Sequence, residues 1–412
     1  MANIRAFKGI RPLRSKVHLV AARPFYSYKK SVLKAKLEDN PYTFLHIINP
    51  EFGTKSTTKP NSKARFQKVR EKFEHFLKQG IFITDTSPHL YIYNQSKEGM
   101  SVRGIFAGIS VDDYTNDIIK KHEQTLTARE DLFTNYLDIV GFNAEPVLLT
   151  YQSNSEIQEI LNSQMAQRPE YDFTTTDGIT HQLWLLNEVD SQIICQLFKQ
   201  VPSLYIADGH HRSASSVRYA QKLREGNQKY CNAADYFLGY LVCETEVHIA
   251  AYHRLLKSKN GISHADFIAQ LEKHGKVEKL KDPSLPQSKH EIHIYFDQTW
   301  LKYRAKYIEL DDPDPIKNLD AQVLSEHILR PIFGIADLKT SDQIEFLAGG
   351  QSLEKIIEIV DSKKSEIAFL LYPASIEEIK KVADAGLNMP PKSTWIEPKL
   401  RSGLTIYSLE HD

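Results

Sequence analysis

The chain has 412 residues, a length that allows two or three domains or one large domain with insertions. With 41% hydrophobic and 25% charged residues it can fill a core, which excludes a disordered tail. Its 52 Lys+Arg balance 52 Asp+Glu, so the formal net charge is zero and attachment to nucleic acid by bulk charge is not expected.

No stretch reaches the roughly eighteen consecutive apolar residues of a membrane helix, so no membrane partner is expected. Residues 1–16 are basic but lack an apolar run, so a signal peptide is not expected either. Cys195, Cys231 and Cys243 show no CxxC spacing. They suit a reducing cytoplasm and offer no structural zinc site.

In chain order, TFLHII at 43–48 reads as a short buried strand between Asn-Pro pairs. Phe66, Val69, Phe73, Phe76 and Leu77 share one face of a helix over 64–79, with Gly80 to end it. Strands follow near 89–93 and 102–109. Asp177-Gly178 lies between two β-rich runs in 173–186 and predicts a type I′ hairpin. A helix over 192–200 precedes a strand at 203–207. A second helix runs from His210 to Glu225, with Ala214, Val217, Ala220 and Leu223 as its apolar stripe and Gly226 after it. Residues 262–310 read as an inserted module: a helix over 265–274 and strands at 290–296 and 300–308. A strand at 367–371 and a helix over 376–385 return to α/β character. The expectation is a mixed α/β (α+β) protein divided as 1–255, 256–312 and 313–412.

The most informative segment is LYIADGHHRSA at 204–214. A strand runs into Asp208-Gly209-His210-His211-Arg212 and a helix begins there. Such a turn aims backbone N–H groups and the positive end of the helix dipole at whatever sits above it. Gly209 allows close approach to the backbone, and Arg212 can fork onto phosphate oxygens. The plainer alternative makes Asp208 a helix cap and the histidines surface residues. A second cluster holds Lys121, His122, Glu123 and Thr125, followed by Arg129. It is not HExxH, because Leu126 stands four after His122, so no zinc protease site is indicated and no metal ligand can be assigned. A solvated charged loop is its alternative. The third segment, Lys392-Ser393-Thr394 after Pro390-Pro391, can hold phosphate or a metal through its hydroxyls, or can be a surface loop anchored by Trp395. No GxxxxG precedes it, so it is not a Walker A loop.

Six ordered stretches carry a resemblance. They are IRAFKGIRP at 4–12, NPYTFLHIINPE at 40–51, KHEQT at 121–125, DGITHQLW at 177–184, ADGHHRSA at 207–214 and MPPKSTWIEPKL at 389–400. Over essentially its full length the chain resembles domain-of-unknown-function family 1015. Its DGHHR is also similar to the signature of free-serine kinases related to the ParB/sulfiredoxin superfamily, in which the turn before the helix binds nucleotide phosphates. The resemblance implies a ParB/sulfiredoxin-like core with inserted and appended modules. It implies an ATP- or ADP-dependent kinase that phosphorylates free L-serine with Mg²⁺. Two departures stand out: 22–27 lacks the aspartate of the family's Pro-Pro-Tyr-Asp, and Leu132 stands where an arginine is expected.

On that reading Gly209, His210, His211 and Arg212 cradle the phosphates, and Lys392, Ser393 and Thr394 contact phosphate or magnesium. His210 and Asp208 act in catalysis. Asp208, Glu123 or Glu51 takes the substrate proton, with Glu123 favoured because the turn would depress the pKa of Asp208. Lys121, His122, Thr125, Arg129 or Arg254 binds the amino-acid substrate. Two rivals remain. A nucleotide-binding switch or DNA-associated protein of ParB type would need a basic arm that the sequence lacks. Sulfiredoxin chemistry would need a cysteine beside 208–212, and none is there.

Overall fold

The structure is a computed structural model. It describes every residue except Ser56, 227–230, 307–311, Pro398 and 411–412, and for Tyr26 the backbone alone. The fold is mixed α/β. The chain forms two compact units. The first comprises Met1–Lys120, Gln124–Val247 and Pro398–Asp412, and the second comprises Lys121–Glu123 and His248–Glu397.

The first unit is built on a mixed sheet of nine strands. Its order runs from Ile119–Lys120 through Leu204–Asp208, Val147–Tyr151, Tyr236–Cys243, Met100–Ser110, Tyr91–Lys97 and Thr180–Leu185 to Tyr171–Thr174, and Ile4–Arg5 also pairs with Met100–Ser110. Val147–Tyr151 reads VLLTY and is buried at every position, as expected of a strand covered on both faces. It runs parallel to Tyr236–Cys243 and antiparallel to Leu204–Asp208. A second apolar core gathers around the helix Lys63–Lys78, where Phe66, Val69, Phe73 and Phe76 are buried on one face. Each such side chain contributes roughly 1.5–3 kcal/mol by leaving water. Ser62 caps this helix by accepting from the Arg65 N–H at 3.3 Å.

Two local expectations are corrected here. Residues 43–48 are not a strand: Leu45–Ile48 is a one-turn helix whose Asn49 N–H donates to the Leu45 carbonyl at 2.9 Å. Phe44, Leu45 and Ile47 are all buried, and a short apolar run buried on several sides carries no period that separates strand from helix. The 177–178 hairpin exists, joining Tyr171–Thr174 to Thr180–Leu185, but its turn is not type I′. Only Gly178 has positive φ, +77°, and its N–H donates to the Thr175 carbonyl at 2.9 Å. That pattern is a type I turn closed by a left-handed glycine.

Among the described residues the second unit carries a sheet of seven strands. Their order is Gly275–Lys279, Thr299–Ala305, Glu291–Phe296, Ile367–Leu370, His248–Leu256 and Ile344–Ala348, with Thr394–Glu397 also paired to His248–Leu256. The helix expected over 265–274 is present as His264–His274. The hairpin expected beside it spans Glu291–Phe296 and Thr299–Ala305, while 307–308 lie outside the described residues. The hairpin pairs with Ile367–Leu370, so 256–312 shares one sheet with the C-terminal region instead of standing apart. Sequence could show both strands but not their non-local partner. Among the described residues no helix is long and apolar enough to cross a membrane.

Candidate functional site

The turn at 208–212 lies wholly in the first unit. The strand Leu204–Asp208 ends in a register irregularity between Ile206 and Asp208. Gly209 follows with φ +108°, a conformation that L side chains rarely adopt, and a Cβ there would lie 2.9 Å from the Arg212 guanidinium. The helix His210–Glu225 starts at once. Its first carbonyl bonds run from the N–H of Arg212 and of Ser213 to the Gly209 carbonyl, at 2.9 and 3.1 Å. Asp208 is not the helix cap, because Gly209 holds that position and no side chain caps it. The first turns of the helix are buried at Ser213, Ala214, Ser215 and Ser216. Ser213, Ser215 and Ser216 return their hydroxyls to the carbonyls of His210, His211 and Arg212, so burial strands none of them.

Charge gathers at this turn. Arg212 Nη2 donates to Asp208 Oδ2 at 2.6 Å, and Lys399 Nζ donates to Asp208 Oδ1 at 3.3 Å. Arg212 Nη1 lies 3.8 Å from Glu145 Oε2. Burial works against ionisation of Asp208, yet Arg212 and Lys399 together hold its carboxyl below the ordinary value. His210 is buried and His211 half-buried. Burial lowers the pKa of His211, assisted by the Arg129 charge and opposed by Glu130.

Lys399 is fixed by the chain that follows it. Arg401 is buried and donates to both Asp177 oxygens at 2.8 and 2.9 Å and to Thr175 Oγ1 at 3.0 Å. Its Nε donates to His181 Nε2 at 3.2 Å. Ser402 pairs with Ala22 through the backbone and donates its hydroxyl to Glu145 at 3.1 Å. The tail is thereby tied to the hairpin and to the carboxylate beside Arg212.

The other expected residues divide between the two units. Lys392, Ser393 and Thr394 belong to the second unit. Lys392 has φ +54° with its Nζ 5.5 Å from the centre of the Tyr252 ring, Ser393 donates to the Pro390 carbonyl at 2.7 Å, and Thr394 opens the strand paired to His248–Leu256. Lys121, His122 and Glu123 also belong to that unit. Glu123 is exposed, whereas His122 is buried and its pKa falls to about 4 by burial. Arg254, one of the candidates for the substrate carboxylate, is fully buried. It donates to the Tyr252 and Pro391 carbonyls at 2.8 and 3.2 Å, lies 4.6 Å from the Phe346 ring centre, and burial lowers its pKa to about 9. In the first unit, Thr125 donates to Glu130 and Arg129 is exposed. Glu51 is buried. It binds Arg65 at 2.5 Å, Lys68 at 2.7 Å and the Thr58 N–H at 2.9 Å. Lys399 and Glu145 escaped the sequence reading, although Lys399 stands inside the 389–400 stretch that drew attention.

The family model described as a protein of unknown function (DUF1015) matches residues 4–322. The chain belongs to this family. No curated protein matches it. Among solved structures it is similar to a free serine kinase in complex with AMP, at 14% identity and TM-score 0.35, covering 74% of this chain and 92% of that one. It is also similar to a conserved hypothetical protein from Pyrococcus furiosus, at 13% identity and TM-score 0.35, covering 74% and 95%. SbnI with C-terminal truncation from Staphylococcus aureus is a third, at 14% identity and TM-score 0.38, covering 74% and 87%.

Proposed function

We propose that the chain is a nucleotide-dependent kinase that transfers a phosphoryl group to free L-serine. The observation that carries the nucleotide part is the strand–Gly209–helix turn on which Arg212 and Lys399 converge. Phosphoryl transfer needs positioned phosphates and charge neutralisation more than covalent help from the protein. A helix N-terminus with one arginine and one lysine supports both needs. A nucleotide phosphate would compete with Asp208 for the two cations. Serine as acceptor comes from the likeness of DGHHR to free-serine kinases.

Magnesium keeps most of its shell as water and phosphate oxygen, and Asp208 and Glu145 are the hard oxygen donors that the turn could add to it. When bound, the ion would neutralise phosphate charge. Asp208, paired with two cations and held ionised, suits orienting better than accepting a proton. Glu123 is the proposed proton acceptor. The test incubates purified protein with Mg²⁺, ATP or ADP and each amino acid in turn, with phosphoamino acids detected by mass spectrometry. O-phosphoserine formed with one donor supports the reading, and the absence of every phosphoamino acid with both donors contradicts it.

A further inference from the structure

The first unit contains a cavity of about 360 Å³ beside the turn. Its size falls within the roughly 300–1,000 Å³ of small-molecule sites. Its walls are mostly apolar, with the rings of Phe25, Phe133 and Phe142 among them, and Arg212 and Glu145 also line it. The cavity therefore reaches the guanidinium that marks the phosphate turn.

Two polar groups of the lining point to a particular occupant. Asn143 uses its Oδ1 to accept the Leu238 N–H at 3.2 Å, which leaves its amide NH₂ without a hydrogen-bond partner among the described residues. The Tyr136 hydroxyl likewise has none among the described residues. Burial, with the Glu145 charge, pushes its pKa up and keeps it protonated. An acyl chain would fill the apolar volume but leave both groups unmatched, a costly arrangement away from water. A heteroaromatic base offers faces to the phenylalanine rings and edge atoms to Asn143 and Tyr136. An anionic tail on the same molecule would meet Arg212.

We propose that this cavity receives the base and ribose of the nucleotide whose phosphates lie at the Asp208–Arg212 turn. The proposal rests on the nucleotide reading above and adds where the nucleoside goes. It makes affinity depend on two separable parts, an anionic part at the turn and an aromatic part among the rings.

Phe133 and Phe25 are 39% and 47% exposed, so truncating either removes little of the core. Phe133→Ala and Phe25→Ala are each titrated by calorimetry with ADP and, separately, with inorganic tripolyphosphate, and thermal melting checks that each variant is folded. The expected result is an ADP Kd raised about tenfold in Phe133→Ala, the scale of a lost aromatic–base stack, with tripolyphosphate affinity unchanged. Phe25→Ala should act in the same direction and decides the matter should Phe133→Ala fail to fold. ADP affinity equal to wild type in the folded variants overturns the cavity assignment while leaving nucleotide binding intact. Wild-type protein that binds neither ADP nor tripolyphosphate overturns the nucleotide reading itself, and the cavity assignment with it.

Discussion

Lys399 Nζ lies 3.3 Å from Asp208 Oδ1, a contact between residues 191 positions apart. It joins the C-terminal segment to the end of the strand Leu204–Asp208 and gives the turn a second cation beside Arg212. The ion pair also decides what Asp208 can do. A carboxylate held ionised by two cations has little tendency to take a proton.

Two carboxylates therefore separate kinetically. Glu123→Gln should lower kcat by about 10²–10⁴, the usual loss for a positioned base, with nucleotide affinity nearly unchanged. Asp208→Asn should change nucleotide affinity, because it frees Arg212 and Lys399, and should leave any acid limb of the pH–rate profile in place. Near-normal turnover in Glu123→Gln would remove it from the reaction.

The clamp on the tail is predicted to be structural. Arg401 is almost fully buried and Asp177 is 29% exposed, so Arg401→Met breaks a largely buried pair. About 3 kcal/mol should be lost in urea unfolding, the lower end for such pairs because Asp177 retains some solvent. Arg218→Met, which loses a more exposed pair with Asp131, should cost about 0–1 kcal/mol. The same clamp fixes a tautomer. Arg401 Nε can only donate, so His181 Nε2 accepts and the ring proton sits on Nδ1, 2.7 Å from the Tyr93 hydroxyl. Burial, reinforced by Arg401, holds His181 down to about 3. Its neutral form thus contributes stability above its ordinary 6.5, which is lost as pH falls toward 3. Nitrogen NMR should find the Nδ1–H form at pH 5, and an imidazolium there would contradict the geometry.

Glu51 makes a separate prediction in acid. Its bond from Lys68, with Thr58 and Arg65, lowers its pKa from 4.5 to about 2 against the opposing effect of burial. A depressed carboxylate stabilises the fold above its unfolded pKa, and that contribution disappears as pH falls from about 4.5 to 2. Glu51→Gln should flatten the stability curve across this window and leave turnover unchanged at neutral pH.

What the sequence could and could not say follows from range. The helix His210–Glu225 was legible because Gly209 and Gly226 bracket an apolar stripe, and the turn was legible because its residues are contiguous. Lys399 was not, because nothing local distinguishes it from Lys392 in the same stretch; only the clamp of Arg401 on the 171–185 hairpin selects it. The burial of Arg254 was not legible, because it depends on Pro391 and Phe346, far along the chain. The cavity was invisible for the same reason, since helices, strands and loops from separate parts of the first unit line it.

On the proposed function, Arg212 and Lys399 hold nucleotide phosphates at the Gly209 turn. Calorimetric titration of ADP into wild type, Arg212→Ala and Lys399→Ala tests it most directly. Wild type should bind, and Arg212→Ala should bind about 1.5–3 kcal/mol more weakly, the worth of a hydrogen bond to a charged group. Lys399→Ala should weaken binding in the same direction. Equal ADP affinity in all three proteins would contradict it.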